Sequence, residues 1–185
     1  GQAPYTDVEH IFQNVGDGTY FHSGQLAVQA CMAAGVNITY KILFNAAVAM
    51  TGAQDAEGGL TVPQLTHKLT SEGVAKIIVC AEDPGRHPKG SLADGVLLWD
   101  RDRLDEAQRL LRDVEGVTVL IYDQQCAAEA RRKRKCGTLP TRRTRVIINE
   151  AACEGCGDCG VKSNCLSVQP DETEFGRKTR KIGRA

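Results

Sequence analysis

The strongest constraint on this chain is an alternation. Short apolar runs recur at residues 9–15, 38–44, 75–81, 95–99 and 117–122, separated by amphipathic stretches except at 82–93, a loop of Pro, Gly and charge. Continuous Val/Ile/Leu runs such as Ala75–Ala81 and Val117–Tyr122 are what strands buried on both faces require. Between the first two runs, Ser23–Ala34 places Leu26, Ala27, Ala30, Cys31 and Ala34 along one side, a core-facing helical stripe closed by Gly35. Thr61 reads as the cap of a second helix, with Pro63 in its first turn and Gly73 at its end. Arg103–Val114 reads as a third, stopped by Gly116. The order β-α-β-α-β-(β)-α-β predicts an α/β fold, a mostly parallel sheet with helices on both faces. Apolar residues make up 42% of the chain and aromatics only 5%, so the core is expected to be aliphatic. Cys31 and Cys80 fall on core-facing positions and read as small buried apolar residues.

Gly16-Asp17-Gly18 directly follows the first run, and Asn45 ends the second. In a parallel sheet both belong at the carboxyl edge, where open α/β sheets bind ligands. A carboxylate and an amide carbonyl there are hard oxygen donors suited to Mg²⁺, which is usually held by one or two protein groups plus phosphate and water. The backbone carbonyl of Ala47 is a candidate third ligand. The glycines let the backbone approach a phosphate closely, and a helix starting near Ser23 would aim its free N–H groups at it. The plain alternatives are an ordinary turn aspartate and a strand-end cap; the placing of both residues on one edge favours ligation. His22 faces the diphosphate or is a surface histidine. Thr51 and Gln54 lie on the loop after Asn45, which is expected to cover a bound cofactor, or they satisfy backbone groups. His67 reads as a surface residue, and His87 lies in a loop of Pro, Gly and charge with no role assigned.

A second motif lies near the end. Cys153-Glu-Gly-Cys156-Gly-Asp-Cys159, then Cys165, sets three thiolates at two-residue gaps with a fourth close by. Soft anionic thiolates suit iron, and this spacing is that of a 4Fe–4S corner. Structural zinc sites more often use two separated pairs. The usual iron–sulfur run has three residues before its fourth cysteine and then Pro. Here Cys165 stands further on with Leu166 after it, so either it completes one site or its partners lie elsewhere. Val146–Ile148 and Leu166–Val168 are expected to pair as a small sheet around the cysteines.

Taken together, Gly16-Asp-Gly-Thr-Tyr-Phe-His-Ser-Gly24, Asn37–Asn45 and Ala49-Met-Thr-Gly-Ala-Gln54 resemble the thiamine-diphosphate enzymes, with the asparagine 28 positions after the aspartate. The closer resemblance is to the indolepyruvate ferredoxin oxidoreductases, and it runs to about Lys178. That resemblance implies a thiamine-diphosphate-binding fold with a ferredoxin-like iron–sulfur segment. It implies thiamine diphosphate, Mg²⁺ and a 4Fe–4S cluster as cofactors. Gly16, Asp17, Gly18, His22, Ser23, Asn45, Ala47 and Thr51 would line the cofactor. Asp17, Asn45 and Ala47 would hold Mg²⁺, and Cys153, Cys156, Cys159 and Cys165 the cluster. The implied activity is oxidative decarboxylation of an aryl pyruvate or related 2-oxoacid to an acyl-CoA, with ferredoxin as electron acceptor. Partners would be coenzyme A, ferredoxin, a pyrimidine-binding domain or subunit and, as a homo-oligomer, further copies. The glutamate that activates thiamine in such enzymes has no match here, so this chain alone is expected to bind cofactor weakly and turn over nothing. Rival readings are oxidation of pyruvate, 2-oxoglutarate or a branched 2-oxoacid, or a non-catalytic electron-transfer scaffold.

The expected organisation is a diphosphate-binding domain over 1–123, a basic linker over 124–145 and a partial ferredoxin module over 146–185. A strand so near the start suggests material upstream, and Thr179–Ala185 looks like an arbitrary end. Arg131–Lys135 and Arg142–Arg145 read as a solvated linker or a docking strip for an acidic partner such as ferredoxin. The zero net charge argues against nucleic acid. No run is long enough for a membrane span. Eight cysteines, half of them at metal spacing, suit a reducing cytoplasm better than a disulfide scaffold.

Overall fold

The computed structural model describes residues 2–45, 47–48, 54–55, 58–140, 144, 146–163, 165 and 167–182, with 4, 47–48 and 54–55 described as backbone only. The chain forms two compact units, Gly1–Leu139 and Pro140–Ala185.

The first unit is α/β. In chain order it carries β1 (Ile11–Gly16), a helical run made of α1 (Asp17–Thr19), a π turn (Tyr20–Gly24) and α2 (Gln25–Ala33), then β2 (Ile38–Phe44). The two-residue strands β3 (Ala47–Val48) and β4 (Gln54–Asp55) pair antiparallel. There follow α3 (Val62–Glu72), β5 (Lys76–Ala81), β6 (Leu97–Asp100), α4 (Leu104–Arg112), β7 (Val117–Asp123) and α5 (Ala127–Lys135). Five strands form one sheet in the order β1-β2-β7-β5-β6, every pair parallel.

Side-chain alternation along the strands builds two cores. Ile77 and Val79 of β5, with Val117, Val119 and Ile121 of β7, pack with Val28 of α2 and Leu65 and Leu69 of α3. Their neighbours Ile78, Cys80 and Leu120 pack instead with Ala107 and Leu111 of α4. Because successive strand residues face opposite sides, α2 and α3 cover one face and α4 the other. The handedness of parallel crossovers demands this: the β1–β2 and β2–β5 connections run one way across the sheet and β6–β7 runs back. Ile42, Val79, Val119, Leu120 and Ile121 are fully buried, each worth about 1.5–3 kcal/mol against exposure.

Thr61 caps α3 as its sequence predicts, in a reciprocal capping box with Gln64, and Gly73 closes the helix at φ 94°. The first helix departs from expectation. It begins at Asp17, six residues before Ser23, so Gly16-Asp17-Gly18 is a helix start and not a glycine turn. Gly16 is the extended N-cap residue and Asp17 sits in the first turn, where a carboxylate meets the positive end of the helix. The stretch expected as a basic linker also differs. Residues through Leu139 belong to the first unit, and α5 anchors by its buried Ala130. Its basic residues cluster in the last turn, where they complement the helix dipole.

The second unit holds a short helix, α6 (Asp158–Ser163), and a hairpin of β8 (Val168–Glu172) with β9 (Lys178–Ile182). The expected pairing of Val146–Ile148 with Leu166–Val168 is replaced by this hairpin. Val146–Ile148 has no strand geometry, and Leu166 lies outside the described residues. A five-residue connection closes the hairpin through Thr173 and Arg177, with Gly176 at φ 73°. So short a closure costs less chain entropy than one spanning the cysteine segment.

Candidate functional site at the carboxyl edge

The register aligns the strand ends. Gly16 lies opposite Leu43, and Phe44 and Ala81 both lie opposite Asp123. Three features with acidic or amide chemistry therefore meet one edge of the sheet: Asp17, Asn45 and Asp123.

Asp17 is 3% exposed. Its Oδ1 accepts from the Gly18 N–H (2.8 Å) and its Oδ2 from the Asn45 N–H (2.9 Å). The second bond ties the first turn of the helical run to the end of β2, so the two residues singled out as ligands are in direct contact. Asn45 itself is half-buried. β3, which carries Ala47, lies against the Asp17–Thr19 turn. The π turn sends Tyr20 fully into the core and leaves His22 and Ser23 exposed one turn beyond Asp17. Burial raises the Tyr20 phenol to about 12, with the Glu72 carboxylate adding to the shift. Its hydroxyl and Glu72 Oε2 are both buried without a hydrogen-bond partner. Thr51 lies outside the described residues, as does the side chain of Gln54.

The sequence reading missed Asp123. It ends β7, is 3% exposed, and receives two side chains from the turn after β5. Arg86 Nη2 donates to both carboxylate oxygens (3.0 and 3.1 Å), and His87 Nε2 lies 2.8 Å from Oδ2. An ionised carboxylate only accepts, so Nε2 carries the hydrogen. These groups line a cleft of about 520 Å³ with Phe21, Phe44, Leu60 and the first turn of α3. The available signal was an acid at the end of a buried apolar run, the same cue that marked Asp17.

In the second unit Cys153 is half-buried and Cys156, Cys159 and Cys165 are exposed. The Cys153 thiol is held below the usual thiol range, chiefly by the Thr179 hydroxyl and then by the Gly155 backbone N–H. Thr179 Oγ1 itself is buried. Gly155 (φ 69°) lies so close to β9 that a Cβ there would stand 2.6 Å from the Lys178 carbonyl oxygen. Ser163 Oγ donates to the Cys159 carbonyl and accepts from the Cys165 N–H (3.2 Å). Among the described residues no three His, Cys, Asp or Glu side chains converge on a single metal ion, and no helix is long and apolar enough to cross a membrane.

Compared with family models, curated proteins and solved structures, the chain matches none.

Proposed function

We propose that the first unit holds the Mg²⁺-diphosphate end of thiamine diphosphate, and that the chain is part of a 2-oxoacid:ferredoxin oxidoreductase of the indolepyruvate type. The observation that carries this reading is the Asp17–Asn45 contact: a buried carboxylate bonded to the start of the next loop on the ligand-binding edge of a parallel sheet. The donor set fits a hard cation. Asp17 supplies a carboxylate, and the Asn45 side chain and Ala47 carbonyl follow within one loop. When bound, thiamine diphosphate supplies the electron sink for decarboxylation of a 2-oxoacid. The residues of this chain anchor and orient. Asp17 holds the cation, Gly16 and Gly18 admit the diphosphate to the backbone, and the helix start adds positive potential.

Cys153, Cys156, Cys159 and Cys165 are proposed as ligands of a 4Fe–4S cluster that passes electrons toward ferredoxin. A cubane gives each thiolate its own iron, so convergence on one ion is not its requirement. Two observations support the fit: the Thr179 hydroxyl beside Cys153, ready to donate to a ligated sulfur, and the glycine positions that bring the loop against β9. Coenzyme A, ferredoxin and a pyrimidine-binding partner belong to the same proposal.

Manganese tests the cation site directly. Added Mn²⁺ with thiamine diphosphate is expected to broaden the amide signals of Gly18 and Asn45 selectively, and Asp17→Ala is expected to abolish the effect. Broadening that ignores Asp17 would remove the reading. Anaerobic reconstitution with iron and sulfide is expected to give about four irons per chain. Preferential retention of one zinc would refute the cluster.

A further inference from the structure

We infer that the cleft beside Asp123 is a binding site for a small organic carboxylate with an apolar, planar body. Its walls are Phe21, Phe44 and Leu60, and its polar end is Arg86, His87 and Asp123. Both oxygens of Asp123, the carboxylate in this wall, are occupied by Arg86 and His87, so it offers little to a cation. Arg86 is different. Only its Nη2 touches Asp123, its side chain is 49% exposed, and its Nε and Nη1 donate to no described residue. Asp123 thus holds the guanidinium through Nη2 and leaves the Nε and Nη1 donors for a second acceptor. A carboxylate suits them, because each N–H bond to it is charge-assisted. The first turn of α3, an eleven-residue helix, lines the same cleft and adds positive potential through its dipole. The phenylalanine side chains in the lining suit an apolar, aromatic body. A phosphate dianion fits less well, because the walls are mainly apolar and Asp123 cancels one of the few positive charges.

Prior fixation is what makes this site more than a surface arginine. A free arginine loses rotamer freedom on binding, whereas Arg86 is already held by a buried partner. The identification of the acid as an aryl 2-oxoacid rests on the proposed function; the carboxylate site itself does not.

The test is titration of the full chain with phenylpyruvate, without Mg²⁺ or thiamine diphosphate, followed by ¹⁵N amide shifts. The expected result is saturable one-to-one binding with shifts at Phe44, Leu60 and His87. Arg86→Ala is expected to weaken it about 10–100-fold, the worth of a hydrogen bond to a charged group. Arg86→Lys, which keeps the charge but not the additional N–H donors, should fall between the two with an unchanged thermal melt. 2-Phenylethanol, which lacks the carboxylate, should not compete. Shifts confined elsewhere, an affinity unchanged in both variants, or competition by the alcohol would overturn the site. If phenylpyruvate binds as expected but Mg²⁺-dependent thiamine diphosphate binding fails, the thiamine reading falls and this site stands. The reverse pattern removes this site alone.

Discussion

Thr39 and Thr118 face one another in the middle of the sheet, both fully buried, with their hydroxyls 2.7 Å apart. Thr39 Oγ1 also lies 2.7 Å from His10 Nε2. This short polar chain makes an asymmetric prediction. Thr118→Val removes one bond but leaves Thr39 with His10, and should cost about 1 kcal/mol. Thr39→Val strands two groups, a fully buried hydroxyl on Thr118 and the imidazole nitrogen of His10. An unsatisfied buried group costs about 1–3 kcal/mol, so the total should be about 2–4 kcal/mol, with His10 at the low end because water reaches it. In the double variant Thr118 no longer has a hydroxyl to strand. Only His10 loses its partner, and the cost should fall back to about 1–2 kcal/mol. Adding Thr118→Val to Thr39→Val is therefore expected to stabilise the protein. The assay is urea unfolding followed by fluorescence of Trp99, the single tryptophan, which lies in the same sheet. Additivity of the two single effects within about 0.5 kcal/mol would refute the reasoning.

Four further outcomes are expected. Burial, with the nearby Arg112 charge, holds the His10 imidazole below its usual 6.5 against an opposing pull from Asp113. The unfolded chain therefore takes up the proton first, so stability is full above pH 6.5 and declines as pH falls below it. The urea midpoint of His10→Gln should lack that decline. Leu111→Ala, in the fully buried contact of α4 with the sheet, should cost about 2–5 kcal/mol by the same assay. Gly155→Ala should disrupt the second unit, because its Cβ would collide with the β9 backbone. Gly176→Ala, with open space around it, should cost only the left-handed strain of about 1–2 kcal/mol. Hydrogen exchange of the β8–β9 amides separates the two.

The α/β layering was legible because strand runs and helical stretches alternate and because Gly35, Gly73 and Gly116 follow the helices. Runs such as Lys76–Ala81 and Val117–Asp123 carry that signal in a few residues. The stripe read along α2, however, is not the buried one: Leu26 is exposed and Val28 faces the core. Asp17 and Asn45 were legible because strand ends in a parallel sheet share one edge. What escaped depended on distance along the chain. Arg86 and His87 sit in a loop of Pro, Gly and charge whose local chemistry announces a turn, not the carboxylate 36–37 positions away that it meets. The helix start escaped because the π turn breaks the 3.6-residue pattern, so Ser23 looked like the beginning. In the second unit the cysteine spacing dominated the reading. The hairpin is set instead by a glycine turn further on.

The measurement that bears most directly on the account is anaerobic calorimetric titration of the purified chain with thiamine diphosphate, with and without Mg²⁺, repeated on Asp17→Ala. The account predicts weak binding that requires Mg²⁺ and disappears in the variant while its fold is kept. Heat that is independent of Mg²⁺, or undiminished in Asp17→Ala, would contradict it.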